Sequence, residues 1–398
     1  MYPLTSSTWD QSEAEAVTSV LVSGRFTMGA RVAEFERMFA DYFGARHAVM
    51  VNSGSSANLL AVAAQFYRSN DPLRAGDEVI VPALSWSTTY APLHQYGLKL
   101  RFVDVDIDSL NMDLDAAEDA VTPRTRAIFA VNTLGAANDF DRLGELCRKH
   151  DLILLEDNCE SMGATYGDRY AGAFGACGTF SMFFSHHICT MEGGMVVTDD
   201  DELKDIVTCL RAHGWTRELP PENHVCDKTG DPFHDSFRFV LPGYNLRPLE
   251  MSGAVGICQL KKLERLLSAR RENARRFVEL LGDLDFVRIQ RPLGDSSWFG
   301  FSLILEGPLA GRRDQVVNDL VSSGIECRPI VAGDFTAHPV IRFFDYEVHG
   351  DLPNARKIHR DGFFVGNHHF DISDQLLALH DLLAQRARAR VTAVCDLS

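Results

Sequence analysis

Apolar positions along the chain follow two alternating rhythms. Over 12–23 and 31–43 the spacing is helical; in the second stretch Val32, Phe35, Phe39 and Tyr42 recur every three or four residues, and Gly44 supplies a stop. Short apolar runs then follow at 47–51, 78–81, 100–103, 127–131 and 152–155. Amphipathic stretches lie between them at about 58–68, 86–96, 113–120 and 139–149. This alternation predicts βαβ units and a mainly parallel sheet with both faces covered. From about residue 177 two closely spaced runs, 178–184 and 195–198, read as further strands joined by a turn that carries something. The polar stretch 216–234, with three prolines, reads as a surface loop. Beyond Pro242-Gly243 the spacing predicts a long helix over 248–282, strands at 286–290, 300–305 and 325–328, and helices at 311–322 and 373–390. The predicted fold class is α/β, with a smaller α+β unit at the C-terminal end. The expected division is an N-terminal arm and helix (1–25), a large domain (26–240) and a small domain (241–398).

Composition narrows the function. The 398 residues are 45% hydrophobic, enough for a sizeable core and too many for a disordered chain. With 39 Lys and Arg against 55 Asp and Glu, the net charge of −16 argues against nucleic acid, whose phosphates require clustered cations. No apolar run reaches the roughly 18 residues of a membrane span, and the first residues lack a basic and apolar leader. The expectation is a cytoplasmic protein. Nine cysteines, no two of them three apart, give no zinc or redox motif and read as reduced thiols. The pairs His186-His187 and His368-His369 chelate poorly, because neighbours on a strand point to opposite faces, so no metal site is expected.

Four segments could carry chemistry. Asn52-Ser53-Gly54-Ser55-Ser56-Ala57-Asn58 follows a strand and opens a helix, where small residues and free N–H groups attract a phosphate; a well-capped helix start would look the same. Pro82-Ala83-Leu84-Ser85-Trp86-Ser87-Thr88-Thr89 lies just past another strand, at the edge where parallel sheets bind ligands, and Trp86 could stack on a planar ring or simply fill core. Leu154-Leu155-Glu156-Asp157-Asn158-Cys159-Glu160 ends a third strand in acids, one of which could hold a proton on a ring nitrogen or merely meet solvent. The fourth runs Ser181-Met182-Phe183-Phe184-Ser185-His186-His187-Ile188-Cys189-Thr190-Met191-Glu192-Gly193-Gly194, presenting hydroxyls and a histidine between two strands.

In this order the segments resemble the sugar aminotransferases that use pyridoxal phosphate on the aspartate-aminotransferase fold. Members of that family carry a covalent-tethering lysine six residues before the Glu of Glu-Gly-Gly. Here that position is His186, and no lysine lies between Lys149 and Lys204. The histidine, with Arg211-Ala212-His213-Gly214-Trp215 and Pro242-Gly243-Tyr244-Asn245-Leu246-Arg247-Pro248, resembles the branch of nucleotide-sugar 3-dehydratases, and the likeness runs from Tyr2 to Phe370. The resemblance implies a seven-stranded sheet sandwiched by helices. It also implies pyridoxal or pyridoxamine phosphate held by Gly54, Ser55, Ser181 and Ser185, covered by Trp86 and paired to Asp157 at the ring nitrogen. Asn245 would reach the phosphate in the neighbouring subunit of a homodimer, and His213, Arg247, Glu326 and Arg328 would line the substrate cleft. An iron–sulfur cluster, found in a CDP-sugar branch, would need two cysteines separated by one residue, and none are.

The implied reaction removes the C3 hydroxyl of a GDP-activated 4-keto-6-deoxymannose, as in colitose formation for an O-antigen lipopolysaccharide. L-Glutamate would be the amino donor, with 2-oxoglutarate and ammonia released. An imidazole cannot tether the cofactor, yet its ordinary pKa near 6.5 suits proton transfer, and His186 would be the catalytic base. Three other readings stay open: an aminotransferase that uses another lysine, a non-enzymatic binding protein on the same fold, and a dehydratase for a TDP- or CDP-sugar.

Overall fold

The computed structural model describes residues 1–395. Its main sheet has eight strands: β1 (His47–Val51), β2 (Glu78–Pro82), β3 (Lys99–Val103), β4 (Thr125–Val131), β5 (Ile153–Asp157), β8 (Cys177–Ser181), β9 (Gly194–Thr198) and β12 (Tyr346–Val348). A two-stranded ribbon, β6 (Thr165–Tyr166) and β7 (Arg169–Tyr170), interrupts the series. The strand order is β1-β9-β8-β5-β4-β2-β3-β12, and only β9 runs against the others. The expected sheet of seven strands thus gains an eighth. Tyr346–Val348 is an exposed edge of three residues, held beside β3 by Lys99 and Arg101 on Glu347.

The alternation predicted for these strands has a direct cause in their burial. In β2, Val79 and Val81 enter the core on one face while Ile80 enters that on the other; in β4, Ala127 and Phe129 divide from Ile128 and Ala130 in the same way. Successive side chains of a strand point to opposite faces, so continuous apolar runs need helices on both. Under the far end of the sheet, Phe39, Phe43 and Phe180 meet with ring centroids 4.5–5.1 Å apart. Burying each such ring contributes roughly 1.5–3 kcal/mol, and the cluster fixes the strand end that carries Ser181.

A separate core surrounds a three-stranded antiparallel sheet of β10 (Val287–Ile289), β11 (Gly300–Leu305) and β13 (Gly362–Gly366). The long helix Glu250–Leu281 spans both: Ile257, Leu260 and Leu263 lie in the first core, Ala274, Phe277 and Leu281 in the second. The strand expected at 325–328 is not one. Ile325 and Arg328 make isolated bridges to Tyr2 and Phe364, and the third strand is Gly362–Gly366 instead. Helices Asp201–Arg211 and Pro353–Asp361 had no sequence assignment.

Candidate active site

The C-terminal ends of β1, β2, β4, β5 and β8 converge on one cleft of about 330 Å³. Ser53 caps the helix Gly54–Gln65, its Oγ accepting from Ser56 N at 3.1 Å, while Ser56 Oγ donates to Asn52 Oδ1 at 2.6 Å. The first turn, Gly54 and Ser55, therefore faces the cleft with the positive end of the helix behind it. Two glycines make the approach possible. A Cβ on Gly54 would stand 2.6 Å from Ser181 Cβ, and one on Gly194 would stand 2.1 Å from the Ser53 carbonyl oxygen. The Gly pair that ends the fourth motif thus lets β9 run against the cup.

Asp157 is buried at the tip of β5 and belongs to a closed set of donors. Its Oδ2 accepts from Asn58 Nδ2 and Thr89 Oγ1, both at 2.7 Å, and its Oδ1 accepts from Cys159 N at 3.2 Å. Asn58 is oriented in turn by Thr179 Oγ1 at 2.5 Å, and Thr89 by Ser85 Oγ at 2.7 Å. Each element supplies one partner: the cup helix, the helix after Trp86, and β8. Trp86 itself is half exposed at the rim, not core.

The loop between β8 and β9 is closed at its base by Met182 N on the Gly193 carbonyl (2.9 Å) and held farther out by Gln259 Oε1 on Cys189 N (3.0 Å) and Trp9 Nε1 on the Cys189 carbonyl (2.9 Å). The two adjacent histidines part company here. His187 turns inward, Nε2 on the Ser297 carbonyl at 3.0 Å, while His186 borders the cleft against the edge of Phe299, with ring centroids 5.1 Å apart. His186 Nδ1 is sealed from solvent without a partner. Burial, with the charges of Arg270 and Arg328 adding to it, pushes His186 down to about 3, so the ring is neutral at physiological pH. Glu160 moves the other way: burial and the Asp157 charge push it up to about 7, against Leu134 N and Arg328.

The small-residue cup, buried acid and loop histidine stand in the order the sequence gives them, and residues 7–373 match the family described as the DegT/DnrJ/EryC1/StrS aminotransferase family. The chain belongs to this family. A relative from Escherichia coli O55:H7, GDP-4-keto-6-deoxy-D-mannose 3-dehydratase, is 54% identical over 384 residues, covering 96% of this chain and 99% of its own. A solved structure of the E. coli GDP-4-keto-6-deoxy-D-mannose-3-dehydratase with bound hydrated PLP matches with a TM-score of 0.94 at 54% identity, over 96% of this chain and 99% of that one. Another, of GDP-4-keto-6-deoxymannose-3-dehydratase with a trapped PLP-glutamate geminal diamine, gives 0.94 at 53%, over 96% and 100%.

Eight of the sequence-derived residues of this DegT/DnrJ/EryC1/StrS aminotransferase family member border the cleft: Gly54, Ser55, Trp86, Asp157, Ser181, Ser185, His186 and Arg328. Four do not. Asn245 is exposed and takes Arg247 Nε at 3.0 Å, although its neighbour Leu246 accepts from Asn52 N, at the start of the cup. His213 lies against Trp215, and Glu326 accepts from Leu4 N at 2.9 Å, fastening the N-terminal arm. Asn58, Thr89, Glu160 and Phe299 were given no role from sequence. Asn58 stands one helical turn beyond Gly54 and Glu160 three residues beyond Asp157, so local spacing held a signal for both; Phe299 had none.

Proposed function

We propose that this protein is a pyridoxal/pyridoxamine phosphate-dependent GDP-4-keto-6-deoxy-D-mannose 3-dehydratase. The observation that carries the reading is an imidazole, His186, at the cleft position where the family's pattern has a lysine; the likeness to 3-dehydratases over nearly the whole chain supports it. The cleft fits the cofactor on its own terms. Its cup has no room for a Cβ at Gly54 or Gly194, its buried acid Asp157 suits a cationic ring nitrogen, and His186 Nδ1 has no protein partner.

Gly54, Ser55, Ser181 and Ser185 would hold the phosphate, Trp86 would cover a ring face, and Asp157 would keep the ring nitrogen protonated. When bound, pyridoxamine phosphate supplies an amine for the C4 ketone of the sugar and a ring able to take up an electron pair. His186 would accept on a ring nitrogen the proton given up by the cofactor's C4′ carbon and return it to the departing C3 hydroxyl, so the leaving group is water and no reductant is needed. Hydrolysis would then release the nitrogen as ammonia and restore the C4 ketone. Neutral His186 is in the form required to begin. Arg328, from the segment bridged to β13, brings a cation to the same cleft for an anionic part of the substrate, such as the glutamate carboxylate or the nucleotide diphosphate. His213, Arg247 and Glu326, outside the cleft of a single chain, would act on the outer parts of the substrate.

We also propose a cytoplasmic homodimer with shared sites. Exposed Phe183, Phe184 and Trp86 beside the cleft, and exposed Asn245 beside the start of the cup, support a second subunit there. Among the described residues no helix is long and apolar enough to cross a membrane. The test is mass analysis of product after incubation with L-glutamate and a panel of GDP-, TDP- and CDP-4-keto-6-deoxysugars. A 3-deoxy ketosugar with ammonia from the GDP compound supports the reading; an amino sugar that retains the nitrogen overturns it in favour of transamination. Sedimentation at working concentration tests the dimer.

A further inference from the structure

Arg270 is a buried cation without a buried anion. It lies in the middle of the long helix, 5% exposed, and no carboxylate pairs with it among the described residues. Unpaired charges of this kind are rare, because leaving water is costly for them. Burial pushes the guanidinium down only to about 10, so it stays charged at neutral pH. Its Nη1 donates to two successive carbonyls, Trp298 at 3.4 Å and Phe299 at 3.1 Å, and its Nε has no acceptor.

Those carbonyls belong to a strap, 296–299, that runs from the ribbon side of the main sheet into β11. Trp298 takes a φ of 47°, a left-handed conformation costly for a tryptophan, and so needs restraint from its surroundings. The restraint is dense. Asn367 Nδ2 donates to the Trp298 carbonyl at 2.9 Å, Arg271 Nε to that of Ser296 at 3.2 Å, and Phe299 N to that of Leu134 at 3.2 Å. The product of this clamping is the Phe299 ring, which forms the wall against His186 and also lies 5.7 Å from His187.

We propose that Arg270 is a positioning residue for the reaction, fixing the strap that carries Phe299 and thereby the resting place of the His186 imidazole. The proposal rests on the reading of His186 as the proton-transfer group. The same guanidinium also biases the ring toward its neutral form. The other charged or titratable groups facing His186 are Arg328, from the segment bridged to β13, Asp157, Cys159 and Glu160 from the end of β5, Glu192 at the loop's far end, and His187 beside it. Arg270, like His187, lies behind the wall and outside the cleft.

The test compares Arg270→Met, which removes the charge and the donor, with Arg270→Lys, which keeps a charge but on a shorter side chain without the Nη1 donor. In protein labelled at histidine Cε1 and free of substrate, the His186 resonance, assigned with His186→Asn, carries the ring current of Phe299. In both variants it is expected to move and broaden. In turnover, Arg270→Met is expected to lower kcat about tenfold with KM changed less than about threefold, the mark of lost positioning rather than lost binding. The acid limb of kcat should rise by about one pH unit in Arg270→Met and stay in place in Arg270→Lys, since only the former removes a cation. An unmoved resonance in folded Arg270→Met overturns the clamp, whatever the reaction proves to be. A lower melting temperature with full kcat per folded site overturns it equally. Should Arg270→Met fail to fold, Arg270→Lys and Phe299→Leu decide: unchanged kcat and line width in both refute the proposal.

Discussion

Thr89→Val isolates one hydrogen bond to the buried acid with almost no change of shape. Thr89 is fully buried, so a methyl takes the place of the hydroxyl without admitting water. The lost bond is one of two 2.7 Å donors to Asp157 Oδ2, and the third donor, Cys159 N, reaches Oδ1 at 3.2 Å. A hydrogen bond to an ionised group contributes about 1.5–3 kcal/mol. With Asn58 still in place, about 2 kcal/mol is the expected loss, or about 30-fold in kcat/KM if the bond serves the proton on the cofactor's ring nitrogen. Ser85 Oγ, 2.7 Å from the same hydroxyl, loses its partner too, so a fall in melting temperature accompanies the effect. Thr89→Ser retains the donor and is expected within about threefold of the parent. The assay is ammonia release from GDP-4-keto-6-deoxymannose with glutamate, beside a fluorescence titration with pyridoxamine phosphate. The reasoning is refuted if folded Thr89→Val turns over within about threefold of the parent, or if all of the loss appears as instability.

Other outcomes follow from the same geometry. His186→Asn should abolish dehydration while leaving cofactor affinity within about threefold; turnover surviving within about tenfold, roughly 1.4 kcal/mol of barrier, would remove His186 as the base. His186→Lys should form a borohydride-reducible link to pyridoxal phosphate at position 186, and its absence would mean that this side chain does not face the cofactor. Gly194→Ala sets a Cβ 2.1 Å from the Ser53 carbonyl oxygen, where only backbone can yield, so cofactor affinity should fall by about tenfold or more; a dissociation constant like that of the parent counts against the cup. Stability should decline with acid below pH 6.5. His186, held at about 3, and His368, at about 4, stay neutral in the fold while the unfolded chain protonates, and each withdraws about 1.4 kcal/mol per pH unit between its two values. Glu160, raised to about 7, binds its proton first in the folded state and opposes this as pH falls toward 4.5. Denaturant titrations from pH 5 to 7 should therefore show a steeper loss in Glu160→Gln than in the parent.

Sequence alone determined the alternation of strands and helices, the ends of β1, β2, β5 and β8 as the working edge, and the chain order of cup, tryptophan, acid and histidine. Each of these follows from local spacing, because a strand buried on both faces or a helix with one wet face writes its period into neighbouring residues. The motif's spacing singled out His186, but tertiary structure alone decided where its neighbour goes, turning His187 inward onto the Ser297 carbonyl. It also brought Asn58 and Thr89 to Asp157 from 99 and 68 residues away, and set Phe299 and Arg270 behind His186. The edge strand Tyr346–Val348 belongs here as well, being three exposed residues made a strand by pairing with β3, and 325–328, extended by composition, forms isolated bridges but no ladder among the described residues. A contact between distant segments exists only once both have docked, so no window of local pattern contains it.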